Sequence, residues 1–238
     1  MTDLFIADAH LRNPEDENYR KMLAFLDQWQ GKVRTLYLLG DIFHFWIGRR
    51  FADFPRYQPL LDRLKSLRTA GTDIVYVEGN HDFCLAPYFA DQLGCTVLPD
   101  GGEVEIDGTK VFLTHGDQVN PEDIGYHKLR RFLRGRFIRF VGRTASPDLL
   151  WHIANWGSHK SAASREGKSM RRAPRDLLFA YGEPHFAAGC RIMISGHYHQ
   201  PIFEQNGDRT LIAVGDWITQ YSYAVYDNGE FRLETFEG

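Results

Sequence analysis

Cysteine is scarce in this 238-residue chain: Cys84, Cys95 and Cys190 are the only three, and no Cys-x-x-Cys spacing occurs. An odd, scattered set argues against a disulfide framework and against a cysteine-bound zinc, and fits a reducing cytoplasm. Nowhere do 18 apolar residues run consecutively, so no membrane-spanning helix is expected. The opening MTDLFIADAH has neither a basic leader nor a long apolar stretch, so no signal peptide is expected either. Low-complexity linkers and internal repeats are also missing, which leaves one folding domain as the expectation.

Charge is plentiful but unevenly placed. Residues 126–175 hold 13 Lys/Arg and only Asp148 and Glu166 as acids, a balance of +11, while the rest of the chain, with 15 basic and 29 acidic residues, carries −14. Such segregation suggests that the middle of the chain faces an anion; the alternative is a solvated basic face.

Apolar periodicity divides the chain in two. In the first half, strands are expected at Leu4–Ala7, Thr35–Leu39 and Ile74–Val77. Helices are expected at Asn18–Gln30, Leu60–Thr69 and Leu85–Leu93. This alternation predicts right-handed crossovers and a layered α/β sheet. From Val104 onward the texture is β-rich. Strands are expected at Val104–Ile106, Lys110–Thr114, Arg191–Ser195, Thr210–Val214, Tyr223–Tyr226 and Phe231–Thr235, and more weakly at Pro201–Glu204. Asp107-Gly108 and Asn228-Gly229 supply hairpin turns. Residues 121–186 interrupt this half with apolar positions at helical spacing and arginines between them, which reads as an inserted helical lid.

Five short motifs follow predicted strands: Asp8-Ala9-His10, Gly40-Asp41, Gly79-Asn80-His81-Asp82, His115-Gly116-Asp117 and Gly196-His197-Tyr198-His199. The carboxyl ends of strands in an α/β sheet share one crevice, so residues just past those ends can meet although they lie far apart in sequence. Carboxylate, imidazole and amide oxygen together suit divalent Mn, Fe, Co or Zn. A carboxylate can bridge two such ions about 3.5–4 Å apart, a spacing suited to in-line attack on phosphorus. Each motif alone is a weak or moderate signal; all five in this order are a strong one.

That order resembles the calcineurin-like metallophosphoesterases, across residues 8–199. The resemblance implies an α/β fold of two sandwiched sheets flanked by helices, with two divalent ions, Mn2+ being the expected one. Asp8, His10 and His199 would hold one ion, Asn80, His115 and His197 the other, and Asp41 would bridge them. His81 would face the leaving group or a phosphate oxygen, as general acid or charge stabiliser. Asp82 and Asp117 would either orient histidines or cap turns. One departure is visible: many members carry a second Asp where this chain has His44.

Within that family, Gly40-Asp41-Ile42-Phe43-His44-Phe45-Trp46-Ile47-Gly48 resembles a stretch of the UDP-2,3-diacylglucosamine pyrophosphohydrolases. So do the spacing of Asp123 and Tyr126 and the position of the insertion; Ser161 and Lys168 align with polar substrate contacts there. Many of those enzymes have Arg where this chain has His81. The resemblance implies hydrolysis of a nucleotide-linked glycolipid to UMP and 2,3-diacylglucosamine 1-phosphate, in lipid A assembly on the cytoplasmic face of the inner membrane.

An amphiphilic substrate is favoured independently by Arg130, Arg131, Arg134, Arg136, Arg139 and Arg143 interleaved with Leu129, Phe132, Leu133, Phe137, Ile138 and Phe140, a pattern suited to an anionic membrane surface. Leu149, Leu150, Trp151, Ile153 and Trp156 are candidates for an apolar slot. Action on nucleic acid or a nucleotide phosphodiester is the alternative, with nucleic acid disfavoured because the basic residues sit within one amphipathic segment. A protein phosphatase would not need that long apolar segment. A non-catalytic scaffold is disfavoured by retention of every expected ligand, and no stable protein partner is expected.

Overall fold

Along the first strand Leu4 and Ile6 turn to one side and Phe5 and Ala7 to the other, and all four are buried. Strands covered on both faces read as continuous apolar runs, which is why the parallel strands were legible in the sequence. The computed structural model describes residues 2–156 and 174–238 in full and the backbone of 157–165.

The strands are β1 (Thr2–Ile6), β2 (Val33–Leu38), β3 (Trp46–Ile47), β4 (Asp73–Val77), β5 (Asp82–Phe83), β6 (Thr96–Leu98) and β7 (Gly102–Ile106). They continue with β8 (Thr109–Thr114), β9 (Ile192–Ser195), β10 (Pro201–Asn206), β11 (Arg209–Val214), β12 (Ser222–Asp227) and β13 (Glu230–Thr235). The helices are α1 (Glu17–Trp29), α2 (Gln58–Thr69), α3 (Ala86–Phe89), α4 (Ile124–Leu133), α5 (Arg136–Thr144), α6 (Pro147–Arg165) and α7 (Pro174–Ala187).

A six-stranded sheet has the order β13-β12-β1-β2-β4-β6, and a five-stranded sheet the order β10-β11-β9-β8-β7. β1, β2, β4 and β6 run parallel, with the antiparallel pair β12 and β13 on one side of them only; β8, β9 and β11 run parallel between antiparallel β7 and β10. The sheets pack face to face through Phe5, Tyr37, Leu39 and Val77 on one side and Val111, Leu113, Ile194 and Ile212 on the other. The outer face of the first sheet is covered by α1 and α2 through Tyr19, Phe25, Leu60 and Leu64. α7 covers the outer face of the second, through Leu177, Leu178 and Phe186 on Phe112, Met193 and Leu211. Four layers result, with the ligand-bearing strand ends of both sheets meeting at one edge. Both hairpin turns form: Asp107 and Gly108, like Asn228 and Gly229, have positive φ, as a two-residue turn of the I′ kind requires.

One expectation needs correction. The helix expected over Leu85–Leu93 is a single turn, Ala86–Phe89. Beyond it Gly94 (φ 68°) reverses the chain and Cys95 N donates to Phe89 O at 2.8 Å, feeding β6 directly. The residues between β2 and α2, unassigned in the sequence, form β3 and two short 3-10 turns, Arg49–Asp53 and Pro55–Tyr57. The weaker expectation at Pro201–Glu204 holds, and the strand runs on through Asn206.

Trp46 lies at the centre of an aromatic cluster, with ring centroids 4.8 Å from Phe43 and 5.3 Å from Phe89, and is fully buried. Its backbone N donates to His81 O at 2.8 Å, so the same residue ties the core to the site. Trp46→Ala is expected to lower unfolding stability by about 3–5 kcal/mol, read by urea denaturation.

Candidate metal centre

Asp8 follows β1, Asp41 follows β2, Asn80 and His81 follow β4, His115 follows β8, and His197 and His199 follow β9. The loops holding them are stitched by backbone bonds: Asp8 N to Gly40 O (3.1 Å), His10 N to Asp41 O (2.8 Å) and Gly196 N to His115 O (2.9 Å). Asp8, His10, Asp41, His197 and His199 all have positive φ, a conformation unusual for side-chain-bearing residues and one that turns neighbouring side chains inward. The motif glycines are dictated by these neighbours. A Cβ on Gly196 would stand 2.5 Å from Asp8 Oδ2, one on Gly40 2.5 Å from His115 Nδ1, and one on Gly79 would collide with the Asp41 carboxylate.

The structure brings all seven sequence-predicted metal residues into one cluster. Asp41 Oδ2 lies 3.6 Å from His10 Nε2 and 3.5 Å from His115 Nε2, and Asp8 Oδ1 lies 3.5 Å from His199 Nε2. Ligand atoms of Asp8, His10 and His199 lie within 4.8 Å of one another, as do those of Asp8, Asp41 and His115. Asn80 Oδ1 is 3.1 Å from His115 Nε2, and the His197 ring centroid is 5.1 Å from that of His115. The donor set fits divalent cations on its own chemistry. Asp8 Oδ1 is buried with no hydrogen-bond partner, an expensive state for a carboxylate oxygen unless a cation is its partner. His115 Nδ1 donates to Leu39 O at 2.8 Å, so Nε2, which faces Asn80 and Asp41, is the ring nitrogen that a metal would take.

Among protein groups alone, Asp41 and the histidines around it set one another's charge. Burial by itself would raise Asp41, but His115, His81 and His10 around it hold it well below the usual carboxylate range. Burial by itself would lower His115, yet Asp41 pushes it up to about 10. Burial brings His10 down to about 4, and burial with the neighbouring His115 does the same to His197. A bound cation would take the place of the proton that His115 otherwise holds.

Among the described residues neither Asp82 nor Asp117 bonds a histidine side chain. Asp82 Oδ1 accepts from Asp41 N (2.9 Å) and Gly79 N (3.1 Å); Oδ2 accepts from Ile42 N (2.7 Å), Phe43 N (3.2 Å) and Tyr76 Oη (2.6 Å). It fastens the loop that carries Asp41. Asp117 Oδ2 accepts from Tyr126 Oη and from Arg130 Nε at 2.8 Å, tying α4 to the site. His81 Nδ1 donates to His44 O at 2.9 Å, and its backbone N donates to Asp41 Oδ1 at 2.8 Å.

A cleft of about 970 Å³ opens over this cluster, lined among others by His10, Asn80, His81, Tyr126 and His199 with Phe45, Phe83, Leu129 and Leu133. Asp123 caps α4, its Oδ1 accepting from Tyr126 N at 3.0 Å. Lys168 and the side chain of Ser161 lie outside the described residues. The arginine stripe does not stay on one face. Arg130 and Arg134 turn inward, to Asp117, Asp100 and Glu78; Arg131, Arg139 and Arg143 line a second cavity of about 910 Å³. The apolar run after Pro147 splits likewise: Trp151 is buried, while Leu149, Ile153 and Trp156 are exposed. Sequence reasoning missed Arg12 and Glu78, for which no motif spacing gave a signal.

Buried carboxylates and imidazoles at the strand ends of a two-sheet sandwich define a metal-dependent phosphoester hydrolase. The chain belongs to the calcineurin-like phosphoesterase family, whose profile matches residues 1–201. It is 32% identical to a UDP-2,3-diacylglucosamine hydrolase of Aeromonas salmonicida, over 98% of this chain and 93% of that protein. Proteins of the same name from Stenotrophomonas maltophilia (32%, over 99% and 98%) and Pseudomonas syringae pv. syringae (33%, over 98% and 95%) are similarly close. An archaeal phosphodiesterase of known structure shares the fold, with TM-score 0.52 and 17% identity over 98% of this chain and 99% of that one.

Asp82→Asn puts an amide donor among groups that all donate. It is expected to lower divalent-metal affinity about 10- to 100-fold, as loss of ligand support does elsewhere, measured by metal titration of the purified chain.

Proposed function

We propose that the protein hydrolyses the pyrophosphate bond of UDP-2,3-diacylglucosamine, giving UMP and 2,3-diacylglucosamine 1-phosphate in lipid A biosynthesis. The observation that carries this reading is the make-up of the cleft, in which metal-type ligands share one cavity with Phe45, Phe83, Leu129 and Leu133. A purely polar phosphoester has no use for those apolar walls, whereas an acylated sugar phosphate has. The names of the relatives, matched over nearly the whole chain, point the same way.

In this reading Asp8, His10 and His199 hold one divalent ion, Asn80, His115 and His197 hold the other, and Asp41 bridges. Mn2+ suits the mixed O/N donor set. When bound, the ions supply positive charge that activates water and offsets charge building on the phosphoryl oxygens. Asn80 and His81 contact the phosphoryl group, and His81 meets the leaving oxygen through Nε2, its Nδ1–H being fixed on His44 O. Tyr126 lines the cleft from α4, anchored on Asp117; Asp123 holds the first turn of that helix, and Ser161 and Lys168 add polar contacts.

Of the segment expected as a lid, residues 121–186, helices α4 to α6 cover the acyl chains, whereas α7 packs on the second sheet through Leu177, Leu178 and Phe186. Phe132, Phe137 and Phe140 are each more than half exposed among arginines of α4 and α5, a combination suited to the anionic inner face of the inner membrane. No described helix is long and apolar enough to cross it. The chain works there as a peripheral cytoplasmic enzyme that needs no stable protein partner and does not use nucleic acid.

Incubation with the lipid substrate and Mn2+ in ¹⁸O-labelled water, followed by phosphorus NMR, should show both monophosphate products with label in one of them. Asp41→Ala should abolish that turnover while leaving the circular dichroism spectrum unchanged. Cleavage of bis-p-nitrophenyl phosphate with the lipid substrate left intact would reject the assignment.

A further inference from the structure

Among the described residues three guanidinium groups line the cleft, and two are already committed. Arg130 is bound to Asp117 and Asp100, each at 2.8 Å, and Arg134 to Glu78 at 2.7 Å. Arg12 is the cleft arginine that pairs with no carboxylate among the described residues. Its Nε instead donates to His44 Nδ1 at 3.3 Å. A guanidinium only donates, so Nδ1 is the acceptor and the proton of the His44 ring sits on Nε2.

The placement is built rather than incidental. Leu11 N donates to Ile42 O at 2.9 Å and His44 N to Leu11 O at 3.1 Å, which locks the loop after β1 against the loop after β2. His44 is 1% exposed, with its ring edge-on to Trp151 at 5.8 Å and Asn155 of α6 beside it. The same residue's carbonyl takes the His81 Nδ1 proton. One buried histidine therefore sets two cleft donors at once: Arg12 through its ring and His81 through its backbone. With Arg12 engaged by Nε, neither Nη group meets a carboxylate among the described residues, and they present the forked face that suits phosphate oxygens.

We propose that Arg12, aimed by His44, forms a subsite for the substrate phosphate that the metal centre does not hold. Arg12 is the specificity-determining contact and His44 its positioning residue. The subsite rests on the pyrophosphate reading above and adds to it a discrimination: a substrate with two linked phosphates uses Arg12, and a simple diester does not.

The test compares kcat and KM of the full-length protein with Mn2+ on UDP-2,3-diacylglucosamine and on bis-p-nitrophenyl phosphate. Arg12→Ala should lower kcat/KM on the first about 10- to 100-fold, mostly through KM, as loss of a charge-assisted hydrogen bond does. On the diester the change should stay under about twofold, as expected where that contact is not made. His44→Ala should reproduce the loss on the pyrophosphate substrate. His44→Asn, whose Oδ1 can still accept from Arg12, should recover activity to within about threefold of wild type, a conservative-replacement rescue. Undiminished kcat/KM on the pyrophosphate substrate in Arg12→Ala, or equal losses on both substrates, overturns the subsite. Wild-type protein that cleaves the diester alone overturns the pyrophosphate reading itself and the subsite with it.

Discussion

Asp41 is a carboxylate taken almost wholly out of water, and the arrangement of the site follows from the need to keep it there ionised. Isolated, such a group would cost several kcal/mol. Here its backbone N rests on Asp82, one oxygen accepts His81 N, and the other faces His10 and His115 at 3.6 and 3.5 Å. The supports come from three strand ends, those of β1, β4 and β8, so the parallel strands of both sheets have to stay in register for the carboxylate to be tolerated. Gly79 lacks a side chain because the carboxylate occupies the place where a Cβ would go. Positive φ at five ligand residues is the conformational strain that this convergence requires.

The same economy governs the inserted helices. Arg130 and Arg134 run inward from α4 to Asp117, Asp100 and Glu78, so the helix that walls the cleft is held by ion pairs that begin one residue from Gly116 and Gly79. Glu78 is itself buried, and burial pushes its carboxyl up while Arg134 draws it back. Helix position and site chemistry are thereby linked through partly desolvated charge. Breaking one partner of such a pair leaves the other buried and alone.

Much of this was legible in the sequence for identifiable reasons. Strands buried on both faces, β1, β2, β4 and β9, announce themselves as apolar runs, and the ligand motifs stand beside glycines whose absence of Cβ is a steric requirement. β3, β5 and β6 were not legible, since two or three residues carry no periodicity. The helix expected at Leu85–Leu93 had the right apolar spacing but too little chain before β6 to complete it. The arginine segment shows the limit of pattern reading most clearly: helical spacing places Arg130 and Arg134 beside Arg131, and only the positions of Asp117 and Glu78 decide which of them turn inward. Asp82 and Arg12 belong to the same class. Each lies in or beside a recognisable motif, yet its role is set by residues 32 to 41 positions away.

The central claim, that one buried aspartate is shared by two cations, is tested most directly by diffraction from crystals grown with Mn2+, using the anomalous signal of manganese. Two separate peaks should appear, with Asp41 bonded to both, His10 and His199 on one and His115 and His197 on the other. A single peak, or two peaks with Asp41 bonded to only one, would contradict the account.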